Sequence, residues 1–333
     1  MTRSIGSIGA TNPAVYDANA SKPRGDPRNG RATTEKSAME VTFWGVRGSI
    51  PSPGAATVRY GGNTTCIAVR TQAGELLILD AGTGIYPLSR TLAVHHPLTA
   101  HLLITHSHWD HIHGLPFFEP NFIAGNTLHI YGPADPSGPK GIEHVVDVQL
   151  QHNYFPVLAS QLHGKIETTT LTPGQRIRIG SAWVTAHPTG HPVAAFAYRI
   201  EADGKSVFFT GDHEPHELSV DPGSADAQQQ LALARERDLA IVQAMSGVDL
   251  LIADSTYTRE EYPSKRGWGH GTFDECMRYA QRAQAKMLAC THHEPTRSDD
   301  ALEAAFAQAL ARRAHVANQP ECILAREGLS LSL

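Results

Sequence analysis

The sequence lacks the features that mark membrane, secreted and nucleic-acid-binding proteins. No apolar run approaches the about 18 residues of a transmembrane helix, and the N-terminus has no secretory apolar core, so we expect a cytoplasmic protein without membrane contact. The net charge of -5 gives no general attraction to nucleic acid, and we do not expect stable nucleic-acid binding. Four cysteines without a CxxC pair exclude a disulfide scaffold and favour buried thiols in a reducing compartment: Cys66, Cys276, Cys290 and Cys322.

Composition divides the chain near residue 38. Residues 1–38 are rich in Gly, Pro, Ser, Asn and charge and have no hydrophobic period, which predicts a flexible N-terminal extension. Residues 39–333 contain short apolar runs separated by Gly, Pro and Asn, and are enough for one large domain.

The apolar runs predict a β-rich first part, a helix, a second β-rich part and a helical end. Strands are predicted at 40–44, 65–71, 75–79, 100–104, 127–131, 165–171, 181–186, 195–201, 206–210 and 250–253, and helices at 85–94, 226–245, 272–285 and 299–314. This order indicates an α+β fold with two sheets packed face to face and helices outside, a four-layer αββα sandwich. A barrel is the alternative. Residues 133–164 are either a surface connection or an excursion over the site.

The strongest local pattern is HLLITHSHWDH, where a predicted strand runs into three histidines and one aspartate within six residues. Imidazole and carboxylate are ligands that suit zinc, manganese or iron. Alternate residues of an extended turn point the same way, so His106 and His108 can hold one ion, while Asp110 and His111 face a second.

Two ions need further ligands, and suitable residues follow two other predicted strands and the apolar segment KMLAC. HPTGH offers His187 or His191, and THHEP offers His292 or His293. GDHE offers Asp212, and an aspartate at a strand end can bridge ions about 3.5 to 4 Å apart.

These motifs resemble those of the metallo-β-lactamase superfamily, whose HxHxDH signature is matched by HSHWDH. The surrounding FWGVRGSIPSPG, RYGGNTTC, LDAGTGI, GDHE, GWGHGT and THHEPTRSDD are similar to its phosphodiesterase branch, which includes tRNase Z, phosphoribosyl cyclic phosphodiesterase and cyclic-nucleotide phosphodiesterases. The resemblance implies the αββα sandwich of that superfamily over residues 39–333, two divalent metal ions and a homodimer. Zinc is favoured, with manganese or iron as alternatives.

The resemblance also implies a metal-ligand set. It assigns His106, His108 and His191 to one ion, Asp110, His111 and His292 to the other, and Asp212 to a place between them. His191 is preferred over His187 because HPVAAFAYRI is similar to the family stretch, and His292 over His293 because the first histidine of the family pair follows the strand directly.

The resulting hypothesis is a dinuclear-metal-dependent phosphodiesterase that hydrolyses a cyclic nucleotide or a related small cyclic phosphodiester. Metal-bound hydroxide would attack, Asp110 would orient it, and His270 in GWGHGT would be the general acid, as in the similar family segment. A helix-capping or surface role for His270 is the alternative. Two other functions stay open: a hydrolase of a lactone, lactam or thioester, and a non-catalytic nucleotide-binding module. A tRNase Z role is disfavoured because no long basic Gly-rich arm is seen.

Other residues have weaker interpretations. Asp80 ends a predicted strand and is expected to brace the metal loop through hydrogen bonds. Arg47 and Arg59 either hold a substrate phosphate or form salt bridges. Four aromatic residues either line a base-stacking wall or belong to the core: Phe117, Phe118, Tyr154 and Phe155.

Overall fold

The computed structural model describes residues 39–92, 97–134, 140–221 and 223–333, all within one compact unit of the chain. The predicted extension over residues 1–38 lies outside the described residues, as does the end of the helix predicted at 85–94. No helix in the described ranges is both long and apolar enough to cross a membrane.

The first sheet has seven strands, and its core strands run parallel. Its members are β1 (Glu40–Gly45), β2 (Cys66–Arg70), β3 (Leu76–Leu79), β4 (Thr99–Leu103), β5 (Thr127–Gly132), β6 (Lys165–Thr170) and β14 (Ser330–Ser332). Their order is β14-β1-β2-β3-β4-β5-β6, and β3 to β6 are parallel to one another. The carboxyl ends of these parallel strands therefore meet at one edge of the sheet.

The second sheet also has seven strands. Its members are β7 (Arg176–Ile179), β8 (Ala182–Pro188), β9 (Phe196–Ala202), β10 (Lys205–Phe209), β11 (Leu250–Asp254), β12 (Met287–Thr291) and β13 (Glu321–Leu324). Their order is β13-β12-β11-β10-β9-β8-β7, with β10 to β13 parallel. The loops after β10, β11 and β12 thus leave the sheet at the same edge.

Seven α-helices connect or cover these strands in the described ranges. They are α1 (Ile85–Leu92), α2 (Trp109–Ile112), α3 (Ile142–Gln149), α4 (His216–Ser219), α5 (Ala227–Ala244), α6 (Phe273–Arg282) and α7 (Asp299–Arg313). Two begin at side-chain caps: Thr272 accepts a hydrogen bond from Glu275 N, and Ser298 accepts one from Ala301 N.

Three buried apolar clusters define the layers. One lies between the sheets and combines residues of both, such as Phe43 and Ile67 of the first and Tyr198 and Phe209 of the second. The other two join the first sheet to α1 and α3, and the second sheet to α5, α6 and α7. Burying each large side chain stabilises the fold by about 1.5–3 kcal/mol. This arrangement confirms the predicted four-layer αββα sandwich and rules out the alternative, a barrel.

The elements that were not predicted are short or weakly patterned. β7 has four residues that alternate arginine and isoleucine. It lies at the edge of the second sheet, where it pairs with a strand on one side only. β13 and β14 have four and three residues. Helix α3 lies within the predicted 133–164 connection and packs Ile142 and Val146 on the outer face of the first sheet. This packing favours a surface connection over an excursion across the site.

Candidate metal centre

The metal loop begins where β4 ends and leads directly into α2. His106 follows the strand by three residues, His108 is the last residue before α2, and Asp110 and His111 lie within this four-residue helix. The tight turn from strand to helix places all four side chains in one small volume. An aspartate in the first helical turn also suits the positive end of the helix dipole.

Three of the predicted ligands form a partly exposed group with Asp212, which we call the open cluster (His106, His108, His191 and Asp212). One donor atom from each lies within 4.8 Å of the others. His191 Nε2 is 3.1 Å from His108 Nδ1, and His106 Nε2 is 3.6 Å from Asp212 Oδ2. His108 is exposed and His191 half-buried, so this cluster faces the surface.

The other predicted ligands form a fully buried group with the same aspartate, which we call the buried cluster (Asp110, His111, Asp212 and His292). His292 Nε2 is 3.2 Å from both Asp110 Oδ2 and Asp212 Oδ1, and His111 Nε2 is 3.1 Å from Asp212 Oδ1. The structure therefore brings all seven predicted ligands together, in two groups that share Asp212.

The competing histidines lie outside both clusters. The His187 ring is 5.8 Å from the Phe208 ring, on the second sheet. His293 is buried, and its Nε2 hydrogen bonds to Ala325 O at 2.8 Å. The geometry thus agrees with the choice of His191 and His292.

Hydrogen bonds fix both imidazoles of the buried cluster. Asp80 Oδ2 is 2.7 Å from His111 Nδ1, and Asp80 also accepts hydrogen bonds from the backbone N and the hydroxyl of Thr105. Thr256 Oγ1 is 2.9 Å from His292 Nδ1. Asp80 and His292 both have left-handed backbone conformations, with φ of 60° and 58°, and such strain persists only where surrounding contacts hold it. The expected bracing role of Asp80 is confirmed.

The loop after β1 closes the buried cluster. Ser49 N donates a hydrogen bond to Asp110 Oδ2 at 2.7 Å. A Cβ atom on Gly48 would lie only 2.3 Å from the His292 ring. The glycine therefore lets the backbone approach this imidazole closely.

The residues present fit two divalent cations. Within the described part of the chain, three buried polar atoms at the centre have no hydrogen-bond partner: His106 Nε2, His111 Nε2 and Asp212 Oδ1. Leaving such atoms unsatisfied is costly, and bound metal ions would satisfy them. Imidazole and carboxylate donors do not discriminate among zinc, manganese and iron.

The two clusters differ in protonation. Burial lowers the pKa of His106, His108 and His191, which favours the neutral form that binds metal. Burial acts in the same direction on His111 and His292, but neighbouring carboxylates, chiefly that of Asp212, raise both pKa values above the ordinary value. Protons therefore compete with a metal ion more strongly at the buried cluster than at the open cluster.

His270 lies beside the buried cluster, with its ring stacked 4.9 Å from that of His292. Its Nδ1 is 3.0 Å from Asp254 Oδ2 and 3.7 Å from Asp212 Oδ2. Burial opposes protonation, but these two carboxylates outweigh it and raise the pKa of His270 to about 9. The capping alternative is wrong because Thr272 caps α6.

Sequence reasoning found some contributors only in part. From its place just before GWGH, Asp254 was expected only to shape the pocket, together with Tyr257 and Tyr262; the structure shows that it contacts His270. Thr256, which contacts His292, was missed, and the only signal for it was that the preceding LLIAD ends as a strand. Two tryptophans next to the clusters, Trp109 and Trp268, are largely exposed. Neither tryptophan belongs to a periodic apolar pattern, so sequence patterning did not point to them.

The structure distinguishes between the alternatives left open for the two arginines and the aromatic residues. Arg47 is fully buried and donates to Gly61 O, Arg297 O and Asp299 Oδ1. It therefore forms a structural salt bridge with Asp299. Arg59 pairs with Asp300. Phe118 is a core residue, whereas Phe117 and Tyr154 are exposed.

Comparison with known proteins gives the family. The model of the beta-lactamase superfamily domain matches residues 76–293, which include all seven clustered residues. The chain belongs to this superfamily. The family expected from the motifs is confirmed, and so is the expected class, a metal-dependent hydrolase.

The similar proteins agree with the phosphodiesterase-branch resemblance. Ribonuclease BN of Cronobacter sakazakii is 26% identical, covering 76% of this chain and 88% of its own length. Ribonuclease Z of a Synechococcus strain is 27% identical, covering 77% and 88%. The crystal structure of the metallo-beta-lactamase fold protein YhfI from Bacillus subtilis superposes with a TM-score of 0.60 at 21% identity, over 89% of this chain and 99% of that one.

Proposed function

We propose that this protein is a dinuclear-metal-dependent phosphodiesterase that hydrolyses a cyclic nucleotide or a related small cyclic phosphodiester. The observation that carries the proposal is His270, paired with Asp254 at 3.0 Å beside two clusters that share Asp212. A phosphodiester expels a poor alkoxide leaving group that such an acid can protonate, whereas a thioester expels a stable thiolate that needs no acid. The ribonuclease names of the similar proteins support phosphodiester chemistry.

Seven residues would hold the metal pair: His106, His108 and His191 on the open side, Asp110, His111 and His292 on the buried side, and Asp212 between them. When bound, two divalent ions supply Lewis-acid stabilisation of the phosphoryl oxygens and an activated water. Zinc is our first expectation for both sites, with manganese or iron as alternatives.

Asp110 would orient the attacking water. Ser49 N and His292 Nε2 both contact Oδ2 of Asp110, so Oδ1 is the atom left to accept a hydrogen bond from that water. A carboxylate held on one oxygen keeps the other in a fixed position, which is what orientation of a nucleophile requires.

His270 would protonate the leaving alkoxide. Its Nδ1 faces Asp254, which leaves Nε2 as the ring nitrogen that delivers the proton. With a pKa of about 9, His270 carries that proton at neutral pH. Asp254 therefore both orients the imidazole and keeps it charged.

A second candidate is an RNA phosphodiester, because the similar curated proteins are named ribonucleases. We favour a small substrate because the chain has a net charge of -5 and binding an RNA backbone depends on clustered positive charge. The homodimer, the cytoplasmic location and the flexible N-terminal extension remain predictions.

The test is a hydrolysis screen with metal-loaded protein. The substrates are bis(p-nitrophenyl) phosphate, 2′,3′- and 3′,5′-cyclic nucleotides, a precursor tRNA, a lactone and a lactam. We expect cleavage of a cyclic nucleotide above the RNA and the carbonyl substrates. Intact phosphodiesters throughout the panel would overturn the proposal, and preferential tRNA cleavage would select the second candidate.

Two histidine variants sharpen the screen. His270→Ala should retain both metals by elemental analysis and lose about 100-fold or more in kcat, the usual size of a general-acid contribution. His187→Ala is the matched control, because His187 lies outside both clusters. Loss of metal in His270→Ala would instead identify His270 as a ligand.

A further inference from the structure

Two exposed tryptophans border the open cluster. Trp109 is 65% exposed and Trp268 is 56% exposed, unusual values for the largest apolar side chain. Trp109 directly follows His108. Trp268 precedes Gly269, whose carbonyl is 3.2 Å from His191 Nδ1. Because His108 and His191 are themselves 3.1 Å apart, the backbone segments that carry the two tryptophans meet at this pair of imidazoles.

The loop that carries Trp268 is held firmly. Gly267 N and Gly269 N, on either side of the tryptophan, donate to the buried carboxylate of Glu214 at 2.8 and 2.9 Å. The Tyr262 hydroxyl donates to the same carboxylate at 2.6 Å. Three donors on one buried carboxylate fix the backbone, so Trp268 is displayed on an ordered support. Such preorganisation lowers the cost of binding a ligand.

Trp109 is held just as firmly, because it is the first residue of α2. Its carbonyl accepts a hydrogen bond from His113 N at 2.8 Å, and the residues on either side of it belong to the open and buried clusters. The backbone at Trp109 is therefore fixed by both clusters. Exposed apolar groups next to a polar site commonly mark a ligand-binding surface.

Positive charge accompanies the second ring. Lys265 Nζ lies 4.2 Å from the centre of the Trp268 ring. Because this cation lies over one face of the ring, a ligand would stack on the opposite face. The positive charge behind the ring would favour a ligand whose aromatic group is attached to an anionic phosphate.

We infer that Trp109 and Trp268 form a stacking platform for the planar base of a nucleotide substrate whose phosphate lies at the metal centre. This inference rests on the proposed phosphodiesterase function, narrows its substrate to a nucleotide and names the residues that select it. Every nucleobase has a flat aromatic face, so stacking of this kind tolerates different bases. The platform therefore selects nucleotides over phosphodiesters without a base, with little preference among the bases.

The test compares substrates with and without a base. We would measure kcat/KM for 2′,3′-cyclic AMP and for glycerol 1,2-cyclic phosphate with Trp109→Ala, Trp268→Ala and the unchanged protein. Each variant should lose about tenfold or more on the nucleotide, mainly through KM, and keep its rate on the glycerol substrate. Trp109→Phe should restore most of the loss because it retains an aromatic face.

Trp183 provides the matched control. It is an exposed tryptophan, at 39%, on β8, with the Arg176 guanidinium 4.5 Å from its ring. Trp183→Ala should leave both substrates unaffected. An equal loss on both substrates in the platform variants, or no loss on either, would overturn the inference.

A binding measurement separates this inference from the proposed function. Calorimetric titration of metal-loaded protein with AMP requires no turnover. If no phosphodiester is cleaved but AMP binds the unchanged protein and not the platform variants, the platform stands and the hydrolase proposal fails. If cyclic AMP is cleaved but neither tryptophan affects AMP binding, the platform is wrong and the hydrolase stands. If the platform variants instead changed the oligomer mass and left AMP binding unaffected, the two tryptophans would contact a second copy of the chain. That result would also overturn the inference.

Discussion

The open and buried clusters use the same kinds of donor and share Asp212, yet the fold supports them differently. The buried cluster has a partner behind each imidazole, Asp80 for His111 and Thr256 for His292. In the open cluster, Thr105 Oγ1 lies 3.1 Å from His106 Nδ1 and the carbonyl of Gly269 lies behind His191, but His108 faces solvent. Since groups behind a ligand orient it and tune its affinity, the buried cluster is the more rigid half and the open cluster is the half that meets the substrate.

The two clusters also differ in the pKa values of their histidines. Burial lowers the pKa of His106 and prepares it for metal, whereas the carboxylate of Asp212 raises the pKa of His111 against the effect of burial. The two halves are thus expected to differ in affinity, in pH dependence and in response to mutation. Each prediction below tests one of these differences.

The largest effect is expected where the clusters join. Asp212→Ala removes a metal-binding carboxylate from both clusters, so we expect loss of both ions. The fall in kcat/KM should exceed about 100-fold, the largest effect usual for a residue that only hydrogen bonds to a metal ligand. Elemental analysis and the hydrolysis assay measure it. Asp147→Ala, an exposed aspartate of α3, is the control. Retention of two ions by the Asp212 variant would mean that this carboxylate does not join the sites.

Removal of the partner behind His111 should separate the clusters. Asp80→Asn keeps the size of the side chain but weakens the contact at 2.7 Å, so we expect about 10–100-fold weaker binding of one ion. Competition with a chelator should then show one tight and one weakened site. Equal weakening of both ions would contradict the distinction between the clusters.

The pH dependence should also differ between the clusters. The pKa values of His111 and His292 are raised, so protons compete with metal at these imidazoles, and affinity at the buried cluster should rise with pH. The gain is at most about tenfold per pH unit for each proton released. The pKa values of the open-cluster histidines are lowered, so little release is expected there. Calorimetry in buffers of different ionisation enthalpy counts the protons, and equal release in both binding steps would be the contrary result.

The smallest effects should come from two glycines, one beside each cluster. A Cβ on Gly48 would lie 2.3 Å from the His292 ring, and one on Gly269 would lie 2.2 Å from His191 Nδ1. Gly48→Ala should weaken the buried site and Gly269→Ala the open site, each by about 2–10-fold, the effect of forcing a side chain from its preferred angle. Metal titration of each variant measures this.

The control separates contact from backbone strain. Gly74 has a φ of 97°, near the 89° of Gly269, but nothing lies within 4 Å of its added Cβ. Gly74→Ala therefore carries the strain without the contact and should leave both sites intact. If it altered metal binding as Gly269→Ala does, the His191 contact would not be the cause.

The sequence predicted the parts of this centre that are local. HSHWDH, Asp212 and His292 each begin within three residues of the end of a strand, so they lie together at one edge of the sandwich. The choice of His191 over His187 depended on resemblance, because both follow the same strand. Long helices and strands were predicted because their apolar period is strong.

What could not be predicted depends on contacts between distant segments. Arg47 is buried only because Gly61, Arg297 and Asp299 surround its guanidinium, and no local pattern reports such a cage. Asp254 acquires its role from His270, sixteen residues later in the chain. Short edge strands such as β7 contain too few buried residues for a pattern.

Anomalous diffraction from crystals equilibrated with zinc tests the central claim most directly. The account predicts two peaks, one among His106, His108 and His191 and the other among Asp110, His111 and His292, each in contact with Asp212. Zinc bound elsewhere, or neither cluster occupied at saturating metal, would contradict it.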